Sequence, residues 1–336
     1  MPWVAASPTR DVWGVTSAQV DLEWVTLLAA AVPLRVAIVG GSGRLGSWLA
    51  TVLAETGHRV RVLDSVVPAP KRGVEFVQTA LARGTSLEGR LDGIDCVIHL
   101  AALHGAHLAG GHSRQDFWQV NVGGTSRLLR ECERAGVARV VAASSTSVYG
   151  AGSPAGAARV LDEETPLAPE DIYDFTKIAT ERLLDEVRLR TPIVATALRF
   201  GRFFYPSEHD YQLRKLSTGL DVLDACQAVV RVMLADTVPR PAYCVASDLS
   251  LSRGQRERLG TDLPGVLEEA LPGLVGRCAE RGIPLPERVG KSVDTSAIRA
   301  DLGYEPCRTI AWSLLAAERA TLDRRAPVAA PVTRAC

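Results

Sequence analysis

Leu34-Arg35-Val36-Ala37-Ile38-Val39 runs without a break into Gly40-Gly41-Ser42-Gly43-Arg44-Leu45-Gly46. The first six residues read as a buried strand, and Ser47 to Glu55 reads as the helix behind the turn. Glycines at 40, 43 and 46 give the spacing GxxGxxG. Gly40 allows the tight turn, and Gly43 lets backbone N–H groups approach a pyrophosphate with no Cβ in the way. Gly46 lets the helix pack closely on the strand and point its N-terminus at the phosphates. With a strand before and a helix after, this spacing predicts a dinucleotide cradle, with Arg44 and Leu45 in its wall. Eighteen residues beyond Gly46, Asp64 closes the next strand. A carboxylate there would accept hydrogen bonds from the adenosine ribose and repel a 2′-phosphate, which favours NAD. Arg44 works against that repulsion and leaves NADP open.

Outward from the turn, strands are expected at Arg59 to Leu63, Val74 to Val77, Cys96 to Leu100, Arg139 to Ala143 and Val194 to Leu198. Helices are expected at about Val122 to Ala135 and Ile172 to Arg188. This alternation predicts a Rossmann-type doubly wound parallel sheet with a small C-terminal mixed α/β substrate lobe. The dinucleotide-binding domain is expected over residues 34–200, with a segment near 220–248 returning to it through a strand at Tyr243 to Val245. The substrate lobe is expected over 201–323, and 324–336, rich in Ala and Pro, as a frayed tail. Residues 1–33 read as an extension whose helix would lay Trp24 and Leu28 on the body. The apolar run Val25 to Leu34 follows Asp11, Asp21 and Glu23 with only Arg10 as a cation, unlike a secretory signal, and is too short to span a bilayer.

The 336-residue chain has a formal net charge of zero, which points away from nucleic acid and anionic membranes as partners. Its seven cysteines (96, 132, 226, 244, 278, 307 and 336) form no CxxC pair and are odd in number. Neither a zinc cage nor a disulfide framework is expected, so the reading is a cytoplasmic protein with reduced thiols.

Two further segments and an asparagine fit one chemistry. Ser144-Ser145-Thr146-Ser147-Val148-Tyr149-Gly150 ends the fifth strand, and Tyr173-Asp174-Phe175-Thr176-Lys177 follows some 25 residues later. Asn121 opens Asn121-Val122-Gly123-Gly124-Thr125. On a helix, residues 173 and 177 share a face, so the ammonium can lie beside the phenol. Free tyrosine, with a pKa of about 10, is a poor base at neutral pH. A lysine cation, together with a positive nicotinamide, is expected to lower it.

With VGGSGRLG, IDCVIHLAAL, NVGGT, SSTSVYG, IYDFTK and the late VDTSAIRADLGYEP, the chain resembles the extended short-chain dehydrogenase/reductases, the NAD-dependent epimerase/dehydratase family, over roughly residues 34–320. The resemblance implies Tyr173 as acid/base, Ser145 holding the substrate oxygen, and Lys177 on the nicotinamide ribose. It further implies Leu100, Ala101 and Ala102 against the cofactor, Asn121 supporting the active-site backbone, and a homodimer. One departure is Val77-Gln78-Thr79-Ala80, where the family carries an Asp for the adenine. A dehydratase is disfavoured, because Thr146 and Ser147 stand where that branch has its acidic pair.

Only fifteen residues separate Phe204 from Leu220, too few for the segment with which sugar-nucleotide epimerases wrap a nucleotide. The stretch Arg214-Lys215-Leu216-Ser217-Thr218 resembles hexuronate dehydrogenases instead. Arg214 and Arg202 are therefore candidates to hold a substrate carboxylate with a planar fork. Ser145, Thr146 and His104 complete the expected substrate contacts. His104, His107 and His112 match no standard metal spacing, so no metal is expected. Phe117 and Trp118 are expected in the core. The favoured reading is hydride transfer at a carbinol carbon of a small sugar-like or hydroxy-acid substrate. Alternatives are an epimerase that oxidises and re-reduces one carbon and, more remotely, a non-catalytic cofactor sensor. Only the dehydrogenase would release NADH continuously.

Overall fold

The computed structural model describes residues 23–81, 85–203 and 208–310; the expectations for 1–22 and 311–336 lie outside them. Seven strands form one parallel sheet: β1 (Arg35–Val39), β2 (Arg59–Asp64), β3 (Val74–Gln78), β4 (Cys96–His99), β5 (Arg139–Ser145), β7 (Val194–Phe200) and β8 (Ala242–Val245), in the order β3-β2-β1-β4-β5-β7-β8. The central strands are apolar nearly throughout because helices cover both faces, leaving no wet side on which polar residues could alternate. A second, two-stranded parallel sheet joins β6 (Arg159–Leu161) to β9 (Lys291–Val293).

One face carries α1 (Glu23–Ala30), α2 (Arg44–Glu55), α8 (Val222–Leu234) and α12 (Ser296–Leu302), whose apolar residues form one core with strands β1 and β2. The other face is covered by α5 (Gly124–Ala135) and α6 (Ile172–Arg190), with Leu128, Leu129, Leu184 and Val187 packed on β4, β5 and β7. Short helices α3 (Gly105–Ala109) and α4 (Arg114–Phe117) precede α5, and a π-helical turn over Trp118–Gly123 leads into it. Helices α7 (Glu208–Arg214), α9 (Arg253–Arg258), α10 (Leu263–Ala270) and α11 (Leu274–Glu280) complete the set, the last two burying Leu263, Val266, Leu267 and Leu274 in a small separate core.

Helix α1 buries Trp24 (1% exposed) and Leu28 (0%) as the sequence predicts. A side chain the sequence did not single out, His58, fastens it: one ring nitrogen meets the Leu28 carbonyl at 3.2 Å and the other accepts from the Leu34 N–H at 3.1 Å. Strand order reverses between β1 and β4, and the crevice above their carboxyl ends is where a doubly wound sheet receives its ligand.

Candidate active site

The glycine turn sits at that crevice. Gly40 has φ +86°, and a Cβ on it would lie 2.5 Å from the Ala101 backbone N. Gly46 is equally constrained, 2.6 Å from Gly41 Cα, so helix α2 is forced against the turn. Gly43 differs, since its Cβ position meets only the Gly40 carbonyl at 3.4 Å and otherwise faces open space. Gly43 is also the N-cap of α2 and supplies no capping side chain, so the first N–H groups of that helix point into the opening without a partner from their own cap. Asp64 accepts from the Ser42 N–H at 2.9 Å and the Val66 N–H at 3.0 Å, tying the turn to the end of β2. Each carboxylate oxygen retains a lone pair for a hydroxyl. Leu100 and Ala101 both donate N–H to the Val39 carbonyl, which holds the β4 loop, Ala102 included, over the same opening. Uncapped amides, missing Cβ atoms and a carboxylate at the end of the neighbouring strand fit a dinucleotide. Exposed Arg44 reaches the Phe203 carbonyl at 3.5 Å.

The catalytic candidates come together two strands over, at the end of β5. Ser145 ends β5 and accepts from the Ser147 N–H at 3.1 Å, which starts a 3₁₀ turn over Thr146–Tyr149. Asp171 caps α6 by accepting from the Asp174 N–H at 2.9 Å, and this sets Tyr173 in the first turn, facing Ser145. The Lys177 ammonium lies 5.6 Å from the Tyr173 ring centroid and donates to the Ala143 carbonyl at 2.7 Å. Burial lowers the Lys177 pKa to about 8, opposed by Glu181 one turn on. Burial pushes the Tyr173 phenol up to about 12, with the Ser145 hydrogen bond pulling the other way. Burial is thus the largest influence on the phenol in the cofactor-free fold; the expected lowering by the lysine together with a nicotinamide concerns the cofactor-bound protein. Asn121, buried in the π-turn, accepts from the Leu103 N–H at 2.7 Å and donates to the Leu103 carbonyl and to Thr176 Oγ1, both at 2.9 Å. It clamps the β4 loop to α6.

The substrate-side candidates are more dispersed. Thr146 is buried in the 3₁₀ turn. Arg202 and Arg214 are both exposed, and the structure brings their backbones together through Gly219, which bridges to Arg202 and donates its N–H to the Arg214 carbonyl at 2.6 Å. His104 stands just before α3; among the described residues no group of three or more His, Cys, Asp or Glu could hold a metal ion. Its ring lies 4.2 Å from that of His107, and burial, His107 and Lys177 lower its pKa, which sets it within reach of the Lys177 charge. Phe117 is in the core as expected, but Trp118 is 45% exposed, because the π-turn rotates it off the inward face.

Sequence reasoning missed a buried network behind the site. Glu181 pairs with Arg199 at 2.8 Å and accepts from the Ser144 hydroxyl at 2.5 Å, while Arg199 also donates to the Tyr149 hydroxyl at 2.7 Å. The spacing of four between Lys177 and Glu181 was the available signal, since it puts both on one face of α6. Lys291 was missed as well: it donates to the Gly150 carbonyl at 2.7 Å and feels the charge of Arg214, linking the small sheet to the catalytic turn.

Residues 36–238 match the NAD dependent epimerase/dehydratase family model, and the chain belongs to that family of NAD-dependent enzymes. The chain is 38% identical over 160 residues to a 3 beta-hydroxysteroid dehydrogenase/Delta 5-->4-isomerase of Mycobacterium tuberculosis, a match covering 45% of this chain and 42% of that relative. It is 29% identical over 229 residues to the sterol demethylase protein B of Methylococcus capsulatus, covering 65% of this chain and 66% of the relative. The chain thus spans less than half the length of the first of these. Among solved structures, MoeE5 in complex with UDP-glucose and NAD superposes with a TM-score of 0.60 at 25% identity, over 85% of this chain and 99% of that one. A short-chain dehydrogenase/reductase superfamily protein from Agrobacterium tumefaciens with bound NAD gives 0.62 at 22%, over 87% and 98%.

Proposed function

We propose that this chain is an NAD-dependent dehydrogenase or reductase that moves a hydride at a secondary carbinol carbon of a small sugar-like or hydroxy-acid substrate. The observation that carries this reading is the meeting of Ser145, Tyr173 and Lys177 at the carboxyl edge of the strand next but one to the glycine turn. Bound NAD supplies the carbon that takes or returns the hydride. Gly43 and the amides of α2 hold the pyrophosphate, and Asp64 selects the unphosphorylated ribose over that of NADP. Ser145 holds the substrate oxygen, and Tyr173 donates its proton to that oxygen in reduction or removes one in oxidation. Lys177 holds the ribose and, once a second positive charge lies near, favours the phenolate. Asn121 keeps the Leu103 backbone and α6 in register with both.

Arg202 and Arg214, exposed and joined through the Gly219 backbone, support an acidic substrate, since a guanidinium suits a carboxylate. A second reading, a 3-hydroxysteroid as the alcohol, is favoured by the 38% identity to the steroid enzyme. We further propose a homodimer through α5 and α6. These helices pack on one another, and Trp118 (45%) in the π-turn before α5 and Phe175 (47%) on α6 are exposed apolar side chains that a second copy would cover. A reducing cytoplasm fits the six described cysteines, all free thiols; no described helix is long and apolar enough to cross a membrane.

Absorbance at 340 nm with NAD tests this against glucuronate, a 2-hydroxy acid and a 3β-hydroxysteroid. Continuous NADH release with an acidic substrate is the expected result. Release only with the steroid selects the second reading. Conversion of a sugar or nucleotide sugar with no net absorbance change would mean an epimerase and overturn the dehydrogenase reading.

A further inference from the structure

Behind Ser145 and Tyr173, two buried side chains are left with hydrogen-bonding capacity unspent. Asp174 follows Tyr173 in the first turn of α6 and is 4% exposed. Its Oδ2 accepts from the Glu170 N–H at 3.0 Å, while Oδ1 is sealed from solvent without a hydrogen-bond partner among the described residues. Lys291 does not fill the gap: it lies within reach of the Asp174 charge but donates to the Gly150 carbonyl. The Ser147 hydroxyl, in the 3₁₀ turn that packs on α6, is sealed and unpartnered in the same way. A carboxylate oxygen only accepts and a hydroxyl can donate, so each supplies what the other lacks. The two are neighbours. Burial raises the Asp174 pKa, and the Ser147 hydroxyl is the strongest influence pulling it back. Buried polar groups in native folds are seldom left without a partner, and here the rotation of one hydroxyl serves both.

Ser147 matters to the chemistry through its backbone. Its N–H donates to Ser145 Oγ at 3.1 Å, and Ser145 in turn bonds the Tyr173 phenol. We propose that Asp174 is a positioning residue: its Oδ1 takes the Ser147 hydroxyl and so fixes the turn that aims Ser145 at the substrate oxygen. The assignment rests on the roles given above to Ser145 and Tyr173. It closes a ring, from Asp174 through Ser147 and Ser145 to Tyr173, that ties the first turn of α6 to the end of β5.

Two readouts on the full chain test the proposal, one of them independent of turnover. By hydrogen exchange, the amides of residues 145–150 should exchange about tenfold faster in Asp174→Ala and in Ser147→Ala. They should keep their wild-type rates in Tyr173→Phe. With whichever of glucuronate, a 2-hydroxy acid or a 3β-hydroxysteroid releases NADH, each alanine variant should lose about ten- to a hundredfold in kcat with the KM for NAD kept. The double variant should lose no more than the worse single one, because both act through one hydrogen bond. Should Asp174→Ala not fold, Ser147→Ala, which removes only a hydroxyl, decides. Unchanged exchange or an undiminished kcat in the folded single variants, or multiplied losses in the double variant, would each overturn the assignment. Full turnover in Tyr173→Phe would instead sink the acid/base reading, and the exchange rates would still judge Asp174.

Discussion

Around the glycine turn the decisive contacts join backbone to backbone, or backbone to one carboxylate, within a stretch of strand, turn and helix. Around Arg202 and Arg214 they join segments far apart in the chain: the turn at Gly219, the small sheet through Lys291, and the catalytic turn through Gly150. The first region is rigid because missing Cβ atoms let main chains touch. The second joins distant segments, by backbone at Gly219 and by the Lys291 side chain at Gly150, and leaves Arg202 and Arg214 exposed. Between them lies α6, which carries the proposed catalytic pair Tyr173 and Lys177 and whose Glu181 is locked to Arg199 below.

The largest expected effect breaks the chemistry and leaves both regions standing. Tyr173→Phe should lower kcat by about a hundred- to ten-thousandfold, while calorimetry should still find NAD binding unchanged. Glu181→Gln strikes the framework beneath: leaving the buried Arg199 unpaired should cost about 3–5 kcal/mol in urea unfolding. Gly40→Ala attacks the rigid region alone. With φ +86° and a backbone atom 2.5 Å from the new Cβ, it should lose about 1–3 kcal/mol to strain and weaken NAD binding. If it binds NAD as wild type does, the picture of main chains in forced contact is wrong. Arg214→Ala probes the exposed region. For an acidic substrate KM should rise about tenfold with kcat and NAD affinity kept; an unchanged KM would remove this arginine from the site.

The smallest effect is a pH dependence that joins the regions. Lys177 has a pKa of about 8 in the fold, so it is a cation below that pH and loses its proton as pH rises through it. The alkaline limb of kcat/KM should therefore fall above about pH 8, and in Glu181→Gln it should begin at lower pH, since Glu181 is what holds the value up. In the unfolded chain the lysine keeps its proton to about pH 10.4. The folded state thus binds fewer protons between these values, and the burial cost of the cation, present below pH 8, is relieved as pH rises toward 10.4.

The strands, the cofactor turn and the Ser145–Tyr173–Lys177 group were legible in the sequence because each depends on local spacing: an apolar run before glycines, or two residues four apart on a helix. Ends were read short by a few residues at β5 and β7, where buried polar residues such as Ser144 and Arg199 continue the strands in a way hydropathy hides. The π-turn that exposes Trp118 carries no local signal, since it arises from the fit of Asn121 between Leu103 and Thr176.

By itself, then, the sequence determined the doubly wound sheet, the glycine turn and which side chains are candidates for the chemistry, because those follow from periodicity and backbone sterics over a few residues. Only the tertiary structure decided that burial raises the Tyr173 phenol, that Arg199 and Glu181 pair beneath it, and that the backbones of Arg202 and Arg214 meet at Gly219. Desolvation and long-range pairing depend on which distant segments pack together, and spacing along the chain does not encode that.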